Sequence, residues 1–187
     1  MGGVPGSRHP LRRSQVSDTT TTITKEREDL LEALALHRGF LRHTVRGLTP
    51  AQLAQRTTVS RLCLGGIIKH VAAVERQWAG FIERGAPENV FDEAMVSEYA
   101  RQFQVEEGDT LESLLADFDA AARATDDLVR RVPDLGASRP LPPAPWFQPG
   151  ARWSARRTLL HILAEVTQHA GHADIIREAL DGQKTMG

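Results

Sequence analysis

Four separate stretches of this chain repeat their apolar residues every three or four positions, and none gives a convincing alternation by twos. From Lys25 to about Gly47 the stripe is Leu30, Leu34, Leu41 and Val45, joined by Leu31, Phe40 and Leu48. A second runs through Ile67, His70, Val71, Val74, Trp78, Phe81 and Ile82 and stops at Gly85 and Pro87. A third, capped by Asp109 or Thr110, uses Leu111, Leu114, Leu115, Phe118, Ala122, Leu128 and Val132, and Pro133 ends it. The last begins behind Ser154, runs through Leu159, Ile162, Val166, Ile175, Ile176 and Leu180, and closes on Asp181-Gly182. Such stripes bury themselves only against one another, so the expected fold is all-α, a four-helix bundle.

The connections carry their own signals. Thr49-Pro50-Ala51-Gln52 pairs a capping Thr with a Pro at the first helical position and a Gln three residues on, which predicts a short connecting helix. Phe91, Met95, Tyr99 and Phe103, spaced by fours, suggest another between Pro87 and Gly108. Six prolines between Pro133 and Gly150 exclude a helix or central strand there and predict one long, stiff connection carrying Trp146 and Phe147. Residues 1–24 hold too few apolar side chains to offset the entropy of ordering them and read as a disordered tail, leaving one domain over residues 25–183.

Composition narrows the function. Of 187 residues, 23 are Lys or Arg and 24 Asp or Glu, so no global field favours nucleic acid or an anionic membrane. No apolar run is long enough to span a bilayer, no secretory hydrophobic stretch follows the first arginines, and the lone Cys63 cannot form an internal disulfide. The expectation is a soluble protein of a reducing compartment, the cytoplasm. Set between two leucines, Cys63 reads as core rather than as a nucleophile.

Chemistry concentrates on the last helix. At 100° per residue His161, Glu165, His169 and His172 fall within about 80° of arc, and a Glu and a His four apart can reach one ion from a single helix. His70, on the apolar face of the second helix, points toward the same interior. Three ligands of the kind His, Glu, His leave one position open on a divalent ion, as catalytic zinc sites do. Taken singly, His70 reads first as a hydrogen-bonded core histidine, and Glu–His pairs four apart arise often by chance. His161 and His172 read as residues supporting the set or packing beside it, and His37 and His43 as solvent-facing. No Glu-x-x-His occurs, so a di-iron carboxylate site lacks its motif, and His-Glu-x-x-His is absent as well. Arg152, Arg156 and Arg157 crowd the start of the last helix, where they can hold an anion or simply form salt bridges. Trp146 and Phe147 can cover the mouth of the site as a lid or only anchor their loop.

The segment Leu160-His161-Ile162-Leu163-Ala164-Glu165-Val166-Thr167-Gln168-His169-Ala170-Gly171-His172-Ala173-Asp174 resembles the last-helix signature of the DinB/YfiT-like superfamily. Gly65-Gly66-Ile67-Ile68-Lys69-His70, followed by Glu75 and Trp78, resembles its second-helix motif, and the likeness extends from about Glu26 to Gly182. The resemblance implies a four-helix bundle holding a divalent metal ion, usually zinc or nickel, with His70, Glu165 and His169 as ligands. Many members have His at both positions of the last helix. Glu165 followed by His169 is instead similar to mycothiol-dependent maleylpyruvate isomerase, and leaves open that His169 and His172 bind while Glu165 accepts their ring protons. It further implies a thiol S-transferase using mycothiol, bacillithiol or glutathione, a small electrophile as second substrate, and a homodimer. Arg156, Arg157 and Trp146 are the candidate contacts for the thiol. The competing expectation is a non-catalytic, stress-related scaffold of the same fold that binds a metal or small ligand without turnover.

Overall fold

A computed structural model describes residues 1–2, 23–86, 97 and 99–185. The expected tail falls almost wholly outside the described residues, as do Phe91 and Met95. The described elements are α1 (Lys25–Thr44), α2 (Pro50–Ala54), α3 (Leu64–Arg84), α4 (Leu111–Arg131), β1 (Ser138–Pro140), β2 (Arg152–Ser154) and α5 (Ala155–Asp181). Residues 99–101 are helical as well.

The helix boundaries follow from local chemistry. Thr49 forms a capping box with Gln52 ahead of Pro50, and Thr110 forms one with Ser113 at the start of α4. Ser154 accepts a hydrogen bond from the Arg157 amide at the head of α5, and Gly182 closes that helix at φ 79°, in the left-handed region. Three C-termini take arginines from elsewhere. Arg27 donates to the Val129 and Val132 carbonyls behind α4, Arg139 to those of Ile82 and Glu83 on α3, and the buried Arg177 to those of Thr44 and Arg46 behind α1. Each cation meets carbonyls that helix geometry leaves free, at the negative end of a macrodipole.

The four long helices close a square in which α1 packs on α4 and α5, and α3 packs on the same two. Arg42 and Arg38 of α1 meet Asp119 and Asp126 of α4, which fixes those helices antiparallel. Lys69 meets Asp109, and Arg76 meets Asp117, so α3 and α4 are parallel. Inside, Leu34, Leu41, Ile67, Ile68, Val71, Leu159, Ile162 and Val166 are fully buried. Each such side chain contributes about 1.5–3 kcal/mol on burial. Cys63 belongs to this core at 4% exposure, as its flanking leucines suggest. No helix among the described residues is long and apolar enough to cross a membrane.

Two features depart from the sequence reading. Strands β1 and β2 pair antiparallel, with Arg139 opposite Trp153 and Pro140 opposite Arg152. Three-residue strands are too short to show a period, and Pro140 is tolerated because a two-stranded ribbon has only edges. His37 is half-buried against Phe40, at 5.7 Å between ring centroids, rather than solvent-facing. The fold is otherwise the expected all-α bundle.

Candidate metal centre

The site begins with the two glycines at the head of α3. A Cβ on Gly66 would lie 2.0 Å from the Phe103 carbonyl oxygen, and one on Gly65 would lie 2.6 Å from Val105. Only a residue without a side chain lets the strap formed by residues 103–105 come this close to the helix. The approach lays the Phe103 ring on His70, centroids 3.8 Å apart and planes at 22°, while Tyr99 meets the same imidazole edge-on at 5.4 Å. The ring of His70 is thereby immobilised in the bundle, with no exposure at all.

Opposite stands α5, antiparallel to α3, whose four-residue spacing puts Glu165 and His169 side by side. Glu165 Oε2 lies 3.9 Å from His70 Nε2 and 3.6 Å from His169 Nε2. One ligand atom from each of the three lies within 4.8 Å of the other two. Neither gap is a hydrogen bond, and both ring nitrogens of His70 are buried with no partner among the described residues. A buried polar group left unsatisfied costs about 1–3 kcal/mol. Two imidazole nitrogens and a carboxylate oxygen gathered this closely, yet too far apart to bond each other, form a donor set that could hold a divalent cation.

The electrostatics agree. Burial, reinforced by the neighbouring His70 and His172, pulls His169 down from 6.5 to about 4, so its ring is neutral near pH 7 with a lone pair to give. His70 first, then the charges of His161 and His169, hold the Glu165 carboxyl below its ordinary range although burial pulls the other way. Burial also lowers His161, whose Nε2 stands 3.7 Å from Glu165 Oε1. His172 Nδ1 lies 3.4 Å from His169 Nδ1, on the side of that ring away from the carboxylate.

An aromatic wall flanks the cluster. Trp78 and Trp153 stack at 5.0 Å, and His161 meets both edge-on at 4.8 and 5.1 Å. Phe147 rests on Trp153 at 5.6 Å, and Trp146, 63% exposed, packs on Phe147. Both loop aromatics therefore lie on the flank that leads to Glu165. The three arginines separate: Arg157 lies 4.2 Å over the Trp153 ring, Arg152 bonds Ser138, and Arg156 is ion-paired to Glu26 of α1. A groove of about 540 Å³ lies beyond Trp153, lined among others by Phe81, Leu128, Val132 and Arg131, and none of the three clustered side chains lines it. The wall, rather than that groove, adjoins the chemistry.

Sequence reasoning set His70, Glu165 and His169 on faces of one interior, where the structure brings them together, but missed what covers them. Tyr99 and Phe103 suggested only a helix, and Trp153 carried no periodic signal. The one usable hint was Gly65-Gly66 at the start of a helix, where paired glycines mark a close backbone approach.

Comparison with known proteins adds the family. No curated protein matches the chain. Among solved structures, a conserved protein from Enterococcus faecalis shares the fold at a TM-score of 0.61 and 15% identity, over 86% of this chain and 99% of that one. A family model described as mycothiol-S-transferase matches residues 29–182, from the first turns of α1 to the glycine that ends α5. The match takes in all three clustered side chains, and the chain belongs to the mycothiol-S-transferase family.

Proposed function

We propose that His70, Glu165 and His169 hold a divalent metal ion, zinc or nickel, and that the protein joins a low-molecular-weight thiol of the mycothiol type to a small electrophile. The observation that carries this reading is the wholly buried His70, its ring nitrogens without partners among the described residues, gathered with Glu165 and His169 so that one ligand atom of each lies within 4.8 Å of the others. Elsewhere in the core, buried polar side chains have hydrogen-bond partners, as Arg38, Thr44, Glu75, Thr125, Thr158 and Arg177 do. Among the described residues nothing meets the hydrogen-bonding requirement of His70, which a bound ion would meet at one nitrogen.

When bound, an ion with three protein ligands and a free position favours the thiolate over the thiol near neutral pH. The protein's own groups do the rest. His169 enters neutral, and Glu165 brings the negative charge that partly offsets the cation. Phe103 and Tyr99 keep water from the far side of His70, leaving the Glu165 flank, the most exposed part of the cluster, as the way in. Along that flank His161 and the Trp78–Trp153 stack form a surface for the bound thiol. Arg157 stands over that stack with its guanidinium available to an anionic or hydroxyl-rich group, and Trp146 and Phe147 close over it from the loop. Arg156 joins only by releasing Glu26.

The test is thiol consumption by the purified protein across a panel of electrophiles, before and after chelation and after adding back zinc or nickel. Turnover lost on chelation and restored by the ion is the expected result, and His70→Ala abolishes it. Turnover indifferent to chelation would overturn the proposal. Ion binding without turnover toward any electrophile would favour the scaffold reading.

A further inference from the structure

Two histidines of the cluster are held in different ways. His70 is fixed by ring contacts alone, stacked on Phe103 and edged by Tyr99, and its Nδ1 has no hydrogen-bond partner among the described residues. His169 has its Nε2 toward Glu165 and its Nδ1 3.4 Å from the Nδ1 of His172, one turn further along α5. Two lone pairs cannot face each other at that distance, so one of the two nitrogens carries a proton. If His172 carried it, His169 would be left with its own proton on Nε2, the atom that faces the cluster.

We infer that His172 is a positioning residue: its Nδ1 accepts a hydrogen bond from Nδ1–H of His169, and this holds His169 in the tautomer whose Nε2 lone pair faces Glu165 and His70. The burial of the two rings favours that direction. An ion held on Nε2 leaves His169, 8% exposed, only Nδ1 for its proton, whereas His172 is half-buried and can keep its own on Nε2, toward water. The spacing is set by the helix, since residues three apart lie on one face and the His169 and His172 rings meet at 67° with centroids 5.2 Å apart. A ligating histidine whose second nitrogen is engaged is oriented and made more basic, and losing such a partner typically weakens metal binding by about 10- to 100-fold.

This inference rests on the metal reading for its functional consequence, while the tautomer itself is read in the metal-free protein, where His172 Nδ1 and Glu165 Oε2 compete for the one ring proton. Long-range proton–nitrogen correlation spectra of metal-free protein with labelled histidine, recorded near neutral pH, should show His169 protonated at Nδ1, and His172→Ala should shift it toward the other tautomer. His172→Asn, whose side-chain oxygen can take the place of the lost Nδ1 as acceptor, should restore the wild-type pattern. Zinc affinity, measured by competition with a chromophoric chelator, should fall about 10- to 100-fold in His172→Ala and recover in His172→Asn. A wild-type His169 protonated at Nε2, or a tautomer indifferent to His172→Ala, overturns the inference. Equal loss of zinc in both variants also overturns it, since His172 would then be a ligand. Absence of zinc binding in the wild type would defeat the proposed function, and the tautomer would still decide the role of His172.

Discussion

Two clusters of charged and polar side chains cross the interior of this bundle, and they are built in opposite ways. In the first, Arg38 of α1 reaches α3 to bond both oxygens of Glu75, with Nε to Oε1 at 2.9 Å, and turns a further nitrogen to Asp126 of α4 at 2.7 Å. Glu75 is wholly buried and Arg38 6% exposed, yet the guanidinium fork meets the carboxylate edge to edge. In the second, the contacts among His70, Glu165 and His169 stop at 3.6 and 3.9 Å, and a fully buried imidazole has no hydrogen-bond partner among the described residues. The first cluster is complete within the polypeptide and ties three helices together. The second leaves its ligand-type atoms gathered but unbonded, the gap that the proposed ion would fill. Burial is common to both, so burial of polar groups alone does not separate them; the unmet hydrogen-bonding capacity of His70 does.

The same substitution made in each cluster should separate them. Glu75→Leu leaves a buried guanidinium with only Asp126, and breaking a buried pair costs about 3–5 kcal/mol. Denaturant unfolding should show that loss, with zinc still bound by whatever fraction remains folded. His70→Leu should cost the metal-free protein little, because replacing an unsatisfied polar ring by an apolar group of similar size is close to neutral. Equal destabilisation by both would erase the distinction drawn here.

Between those extremes, acidification should act on the metal-free protein through the histidine cluster. Because His169 titrates at about 4 when folded and near 6.5 otherwise, the unfolded chain takes up a proton between those values that the folded one refuses. Its contribution is fully present above pH 6.5 and is lost as pH falls toward 4, by at most about 3 kcal/mol. Glu165, held below its ordinary range, adds to the loss in the same direction at still lower pH. His169→Gln should flatten the slope between pH 6.5 and 4 in chemical denaturation; an unchanged slope would contradict the assignment. Gly66→Ala sharpens the comparison from another side. The added Cβ must displace the Phe103 backbone, and overpacking of this kind costs about 1–3 kcal/mol. Zinc affinity should fall with it, as His70 loses its stacking partner, while the Arg38–Glu75 cluster is untouched.

How much of this could be read from the sequence follows from the range of each signal. Helices, caps and inward faces are local, and Thr49, Thr110, Ser154 and Gly182 act as their spacing predicts. The gathering of His70, Glu165 and His169 was legible because all three occupy apolar stripes that face one interior. What stayed hidden depends on contacts between distant segments. Arg38 sits in the stripe between Leu34 and Leu41, where a charge reads as an interruption until Glu75 and Asp126 are placed against it. The return of the strap over Gly66 has no periodicity, and the pairing of β1 with β2 is too short to show one. Three neighbouring arginines are indistinguishable by composition, and only the positions of Glu26, Ser138 and Trp153 give Arg156, Arg152 and Arg157 their separate roles.

The central claim is that the second cluster is a receptor for one divalent ion. Elemental analysis of protein purified without chelator, alongside His70→Leu prepared identically, tests it most directly. About one zinc or nickel ion per chain in the wild type and almost none in the folded variant is the predicted outcome. Equal metal content in the two proteins, or none in the wild type even after incubation with zinc and nickel, would contradict it.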